Sequence, residues 1–230
     1  MEHIYFVNAH PDDLIAVIGT ALKLKATGRY EFHVFDATRG ENGLTGIASP
    51  EECARLREAE EREVCARLGT APVWLYEHDG SAFASEASCR ALAAMYAEFP
   101  PRAIFTLWPL DRHLDHMMGS SIALNALRLA SGPARGVMKQ GWSEVLFYHY
   151  RNSMACDPGV FVPLSEAEMA EKCEIISLYR CQQGPRMAED EKIRNAHFGT
   201  RVRVPYAEAL TRLQPLAPEV RSVLDGIAFF

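Results

Sequence analysis

The chain has 230 residues, of which 48% are hydrophobic, 10% aromatic and 23% charged, a composition that excludes a disordered tail, a fibre and a disulfide miniprotein. A core of this size buries roughly 70% of the surface the unfolded chain exposes, so folding requires neither metal nor disulfide, and one domain over residues 1–230 is expected. Lys plus Arg number 24 against 30 for Asp plus Glu, a net charge of −6 that offers no global positive field to a phosphate backbone, so a nucleic-acid partner is not expected.

The first 110 residues alternate between β-rich and amphipathic runs, the pattern of a parallel sheet covered by helices. His3 to Ala9 reads as a strand. Asp12 to Thr27 reads as a helix with Leu14, Ile15, Val17, Ile18, Ala21, Leu22 and Leu24 on a broad apolar face. A second strand spans Glu31 to Ala37, and Ser49-Pro50-Glu51-Glu52 is a capping box that opens a helix to Leu68. Val73 to Tyr76 is a third strand and Glu86 to Phe99 a third helix. Pro100-Pro101 stops that helix before a strand from Ala103 to Trp108.

A helix follows from about Asp115 to Leu129. Beyond Gly132 a Gly/Pro/Lys loop leads to a strand from Val145 to Tyr150 and an irregular stretch to Val162. Ser165 and Glu168 form another capping box, opening a helix to about Arg180, and from Gln182 onward the periodicity is weak. No internal repeat or long linker is present. The predicted fold is a Rossmann-like three-layer α/β/α sandwich on a mostly parallel sheet. Its ligand is expected at the carboxyl ends of the strands.

No apolar run reaches the 18 or so residues of a membrane span, and the N-terminus opens on a strand-like segment where a leader would be basic and then apolar; a cytoplasmic protein is expected. Cys53, Cys65, Cys89, Cys156, Cys173 and Cys181 fall at wide spacings with no Cys-x-x-Cys pair, and most are expected to be small buried hydrophobes. The apolar tail Ile227 to Phe230 either covers another subunit of a homo-oligomer or folds back on its own chain.

Two polar clusters fall at predicted strand ends: Asn8-Ala9-His10-Pro11-Asp12-Asp13 and Asp111-Arg112-His113-Leu114-Asp115-His116. The first lacks the glycine-rich turn of a nicotinamide site. Two imidazoles and a carboxylate make a three-ligand zinc site with a position open to water or substrate. One of the adjacent aspartates can then ligate while the other takes a proton from water. Either cluster alone could instead be a helix N-terminal charge or a polar turn.

These motifs, Ala9-His10-Pro11-Asp12-Asp13 and His113-Leu114-Asp115-His116, resemble the signatures of the zinc-dependent N-acetylglucosaminyl deacetylases, the LmbE-like or PIG-L-like family. The resemblance continues through Thr38 to Gly43, Arg57 with Glu60 or Glu61, His78-Asp79-Gly80, Lys172 through Tyr179 to Gln182, and Tyr206 to Ala209. It implies His10, Asp13 and His116 as ligands of Zn2+ or another first-row divalent ion. It implies Asp12 as the general base toward water at the metal, His113 as the group that steadies the oxyanion or protonates the leaving amine, and Asp115 as an acceptor from His113. The implied reaction releases acetate from an N-acetylglucosamine-containing small molecule. Leu114 stands where the family commonly has proline, and Cys181 where it often has serine, a place suited to packing or a hydrogen bond.

Arg39, Arg57 and Asp79 are candidate sugar-binding residues, each with an ordinary alternative: a turn residue for Arg39 and Asp79, and a salt bridge on a solvated helix face for Arg57. Trp108 reads as core, and His3, His33 and His149 as hydrogen-bonded structural histidines. An amidase for a different amide and an idle zinc and sugar-binding protein are the competing functions.

Overall fold

The computed structural model describes residues 1–44, 46, 49–131, 143–214 and 220–230. The strands are β1 (Glu2–Asn8), β2 (Tyr30–Thr38), β3 (Pro72–Glu77), β4 (Pro101–Leu107), β5 (Glu144–Tyr148), β6 (Val160–Leu164) and β7 (Tyr206–Arg212). The helices are α1 (Ile18–Ala26), α2 (Pro50–Leu68), α3 (Glu86–Glu98), α4 (Leu114–Ala130), α5 (Glu166–Ile176) and α6 (Gly184–Val202). The Gly/Pro/Lys loop expected after Gly132 lies outside the described residues.

The seven strands run in the order β3-β2-β1-β4-β5-β7-β6. The first five are parallel; β7 pairs antiparallel with β5 and with β6. This is the expected mostly parallel α/β/α sandwich. Alternation along β1 divides the core, because Ile4 and Phe6 join a cluster with Leu14, Ile18, Leu24 and Ile175, and Tyr5 and Val7 join one with Leu92, Tyr96, Ile122 and Ala126. The order reverses beside β1, so β1 and β4 are neighbours whose carboxyl ends open a crevice at the switch point.

Local signals explain several boundaries. The Ser49 side chain accepts Glu52 N–H at 3.2 Å to start α2, and Gly69, at φ 83°, ends it in the left-handed region. The Ser165–Glu168 capping box is complete at 3.2 and 2.7 Å. All six cysteines are free. His3 Nδ1 and His33 Nε2 lie 3.0 Å apart, and His149 Nε2 lies 2.8 Å from Thr211 Oγ1, which satisfies these histidines within the fold. The tail folds back: Phe229 and Phe161 exchange backbone hydrogen bonds of 2.8 and 2.9 Å.

The structure differs from the reading in several places: β6 and β7 occupy stretches read as irregular or weakly periodic, and α5 ends at Ile176 rather than near Arg180. The helix expected from Asp12 begins only at Ile18, after a 3-10 turn over Asp13–Ala16. Its first-turn amides, buried and without a helical acceptor, meet the Glu208 carboxylate of β7, which accepts Gly19 N–H at 2.8 Å and Thr20 N–H at 2.6 Å. The C-terminal stretch of weak periodicity contains the 19-residue α6, whose buried stripe is Ala188, Glu191, Asn195 and Gly199. The fully buried stripe is small and polar, so a search for large apolar residues at helical spacing passes over it.

Those polar residues meet Lys172, whose side chain is fully buried. Its Nζ donates to Glu208 at 2.7 Å, Asn195 at 2.8 Å and Glu191 at 3.2 Å, a network that joins α1, α5, α6 and β7. Lys172→Met leaves the buried Glu208 carboxylate without its paired cation, Glu191 retaining Arg194, and should lower unfolding stability by about 3–5 kcal/mol, read by urea denaturation. An unchanged midpoint would show that the network is dispensable to the fold.

Candidate active site

The first cluster is shaped by Asp13. Its Oδ2 accepts the Ala9 and His10 amides, both at 2.9 Å, and Asp13 N–H donates to His10 O at 3.2 Å. This closes a tight turn and places Asp12 at φ 114°, in the left-handed region that non-glycine residues rarely occupy. Asp13 Oδ1 then lies 3.5 Å from His116 Nε2 in the first turn of α4. Ligating atoms of His10, Asp13 and His116 all lie within 4.8 Å of one another, and the three residues are buried.

Carboxylates orient both imidazoles. His10 Nε2 lies 3.1 Å from Asp115 Oδ2 and 3.2 Å from Asp79 Oδ1, and His116 Nδ1 lies 3.3 Å from Asp111 Oδ1. The expected hydrogen bond from His113 to Asp115 is not formed. Asp115 instead accepts Gly80 N–H at 2.6 Å and Ala82 N–H at 3.0 Å, which turns its carboxylate toward His10. His113 stacks on His116 with centroids 4.8 Å apart, and its Nδ1 is buried without a partner. Asp111, which the motif reading passed over, sits five residues before His116; that spacing is the signal that could have revealed it.

Arg57 is buried, so the reading of a solvated helix face gives way. Its Nη2 donates to Asp12 Oδ1 at 2.8 Å and to Pro11 O at 2.5 Å, and its Nη1 to Gly40 O at 3.1 Å. Gly40 and Gly43 leave room for it, since a Cβ at either would overlap the guanidinium. Gln182 Nε2 reaches the other Asp12 oxygen at 3.3 Å. Asp79 Oδ2 accepts Asn42 N–H at 2.8 Å, tying the glycine loop to the turn after β3. Arg39 stands apart: it pairs with Glu51 at 2.8 and 2.9 Å and with Glu58, and lines a separate surface depression.

A cavity of about 470 Å³ is lined by His10, Asp12, Asp13, Arg57, Asp79, His113 and His116. Its lining also includes Tyr150, Arg151, Asn152, Gln182, Arg186 and Asp190, with Gln182 against Asp12 and the Tyr150 ring against His116. Apart from Gln182 these wall residues escaped the sequence reading, because they follow β5 or start α6, where no strand-end motif marks them.

Five aspartates, at 12, 13, 79, 111 and 115, cluster around the two histidines, with Arg57 the guanidinium bonded to Asp12. Burial would push His10 down, but hydrogen bonds to Asp115, Asp13 and Asp79 hold it well above the ordinary imidazole value. Burial also raises Asp12, against the opposing charge of Arg57. Asp13 is lowered despite its burial, chiefly by His116 and His10. Burial, with His10 and His116 nearby, lowers His113. A buried His/Asp/His donor set inside an excess of negative charge fits a first-row divalent cation.

Residues 5–127 match the family described as PIG-L, GlcNAc-PI de-N-acetylase, and the chain belongs to that family. Its fold is similar to that of a conserved protein from Thermus thermophilus, at 27% identity over 96% of this chain and 100% of that one, with a TM-score of 0.77. It is also similar to an N,N'-diacetylchitobiose deacetylase from Pyrococcus horikoshii, at 22% identity over 92% and 84% of the two chains and a TM-score of 0.80. A third similar structure is GalB, the 4-carboxy-2-hydroxymuconate hydratase of Pseudomonas putida, at 21% identity, 96% and 100% coverage and a TM-score of 0.78. Deacetylase and hydratase share this fold, so the reaction has to be argued from the site.

Gly43→Ala should displace the Arg57 guanidinium and destabilise the protein by about 1–3 kcal/mol. Thermal unfolding checks this, and a wild-type melting temperature would mean the loop yields without cost.

Proposed function

We propose that the protein is a metal-dependent N-deacetylase acting on a small N-acetylglucosamine conjugate. The observation that carries the reading is the convergence of His10, Asp13 and His116 around one point, with Asp12 beside them and open to the cavity. A divalent cation held by those three supplies, when bound, an electrophile for an amide carbonyl and a lowered pKa for water.

The remaining chemistry belongs to the side chains. Asp12 Oδ1 is engaged by Arg57, which leaves Oδ2, with its weaker contact to Gln182, to accept a proton from the attacking water. The same proton then passes to the departing amine, and acetate and the free amino sugar separate. His113, lowered by burial and by its two histidine neighbours, is neutral near pH 7 and donates a hydrogen bond to the carbonyl oxygen as charge grows there. Asp115 acts through His10. Arg57 and Asp79 shape part of the lining, and Arg151, Asn152, Arg186 and Asp190 offer donors and acceptors to sugar hydroxyls elsewhere in it.

We read residues 1–230 as one domain of this kind. Support comes from Gln182 at Asp12 and from Glu208 at α1, contacts that bind the last third of the chain to the first. No helix among the described residues is long and apolar enough to cross a membrane. A small-molecule substrate and work in the cytoplasm are part of the proposal.

Acetate release from a panel of N-acetylglucosamine conjugates tests the reading, with Asp12→Asn expected to lower kcat by about 10²–10⁴-fold. Ligand binding without acetate release by the wild type would favour a binding protein, and hydrolysis of other amides alone would favour a different amidase. A chelator should abolish turnover, zinc should restore it, and circular dichroism should stay unchanged; unfolding on chelation would make the metal structural. Arg57→Gln removes the charge that lowers the Asp12 pKa, so the acid limb of kcat/KM should move to higher pH. An unmoved limb would exclude Asp12 as the group titrating there.

A further inference from the structure

Two histidines that the candidate active site leaves unused converge at the other end of the sheet. His3 and Glu31 are register partners on β1 and β2, and His33 follows Glu31 by two residues, so the three share one face of the sheet. His3 Nδ1 lies 3.0 Å from His33 Nε2 and 3.8 Å from Glu31 Oε2. Ligating atoms of the three residues all lie within 4.8 Å of one another. Aromatic neighbours hold the rings in place. His33 stacks on Tyr5 with centroids 4.6 Å apart and on Phe99 at 5.6 Å, and His3 packs against the same Phe99 at 5.2 Å. Glu31 is half exposed, and among the described residues it forms no ion pair with a lysine or arginine.

We propose that His3, His33 and Glu31 form a second divalent-metal site, for a late first-row ion such as zinc, that ties the start of β1 to β2. Two imidazoles and a carboxylate suit zinc, nickel or copper, whereas magnesium and calcium prefer shells of oxygen. Zinc bonds of about 2.0–2.1 Å at tetrahedral angles set neighbouring ligand atoms about 3.3 Å apart. The two nitrogens therefore need to part by only about 0.3 Å, and the half-exposed Glu31 side chain is free to close the remaining gap. The bond between the rings keeps one proton on the line joining these nitrogens. A neutral imidazole carries that proton as readily on its other nitrogen, so a change of tautomer frees both atoms for the metal. Roughly 16 Å of extended chain separates His3 from the carboxyl end of β1 at Asn8, so an ion here touches no substrate in the cavity and acts on stability. The site is independent of the proposed deacetylase reaction.

The experiment measures zinc content and thermal unfolding of the full chain, equilibrated with micromolar free zinc in the presence of millimolar magnesium. The wild type is compared with His33→Phe, which keeps a ring stacked on Tyr5 and Phe99 and removes the ligand atom, and with a His10→Ala/His116→Ala variant. The wild type should hold two equivalents and each variant one, and acetate release by His33→Phe should equal that of the wild type. In the His10→Ala/His116→Ala background, zinc at about 100 times its Kd should shift the unfolding equilibrium about 100-fold toward the native state. Adding His33→Phe should remove that shift. Glu31→Gln alters only a half-exposed side chain and should weaken the second equivalent by about 10-fold or more.

Two equivalents retained in His33→Phe would overturn the inference, as would an unchanged affinity in Glu31→Gln. A single wild-type equivalent that disappears with His10 and His116 would overturn it too, and would leave the active-site metal in place. A single equivalent lost in His33→Phe instead would support the second site and remove the metal from the deacetylase reading.

Discussion

The Asp13 carboxylate is the constraint on which the centre depends. One oxygen closes the turn at the end of β1 by accepting two amides, and the other is thereby directed at His116 on α4. A turn closed this tightly cannot also be the first turn of a regular helix, so α1 starts at Ile18. Its free amides then need an acceptor that local sequence does not supply. Glu208 provides it, and once buried Glu208 requires Lys172, which draws in Glu191 and Asn195. A requirement of the site thus reaches the far end of the chain.

The parallel pairing of β1 with β4 makes this arrangement possible, because it brings two loops roughly 100 residues apart in sequence to the same sheet edge. The helix that crosses between β2 and β3 then lies behind the turn. Its Arg57 enters a space bounded by Gly40 and Gly43, where larger residues would exclude it. The glycine loop after β2 therefore serves the guanidinium by being small, and the carboxylate of Asp12 is held by a cation that is itself confined.

The alternation of strands and helices through residue 108, and both histidine clusters, were legible because their signals are local: period, capping serines, and short runs of ligand-type side chains. The start of α1 was not, since its acceptor comes from β7. Nor was α6, whose buried face of Ala188, Glu191, Asn195 and Gly199 is selected to meet Lys172 and close neighbours and lacks apolar bulk. The family resemblance implied Asp115 as an acceptor from His113, but a residue in the first turn of α4 faces the turn after β3, where two amides await its carboxylate. Arg39 was drawn toward the crevice by its place on the glycine loop, whereas Glu51 and Glu58 on α2 offer it nearer charges.

The cavity divides by chain position in a way that bears on substrate choice. Every proposed ligand and the proposed base lie between residues 10 and 116, within the segment that matches the family. The rest of the lining, by contrast, comes largely from residues 150–152 and 182–190, beyond that segment. The matched segment carries the charge balance and geometry that a bound cation would demand. The rest of the lining is largely polar, partly exposed and outside the proposed ligand set. Under the proposed reading, Arg151, Asn152, Arg186 and Asp190 are therefore the residues placed to select the group beyond the reacting bond, while the histidines serve the cation.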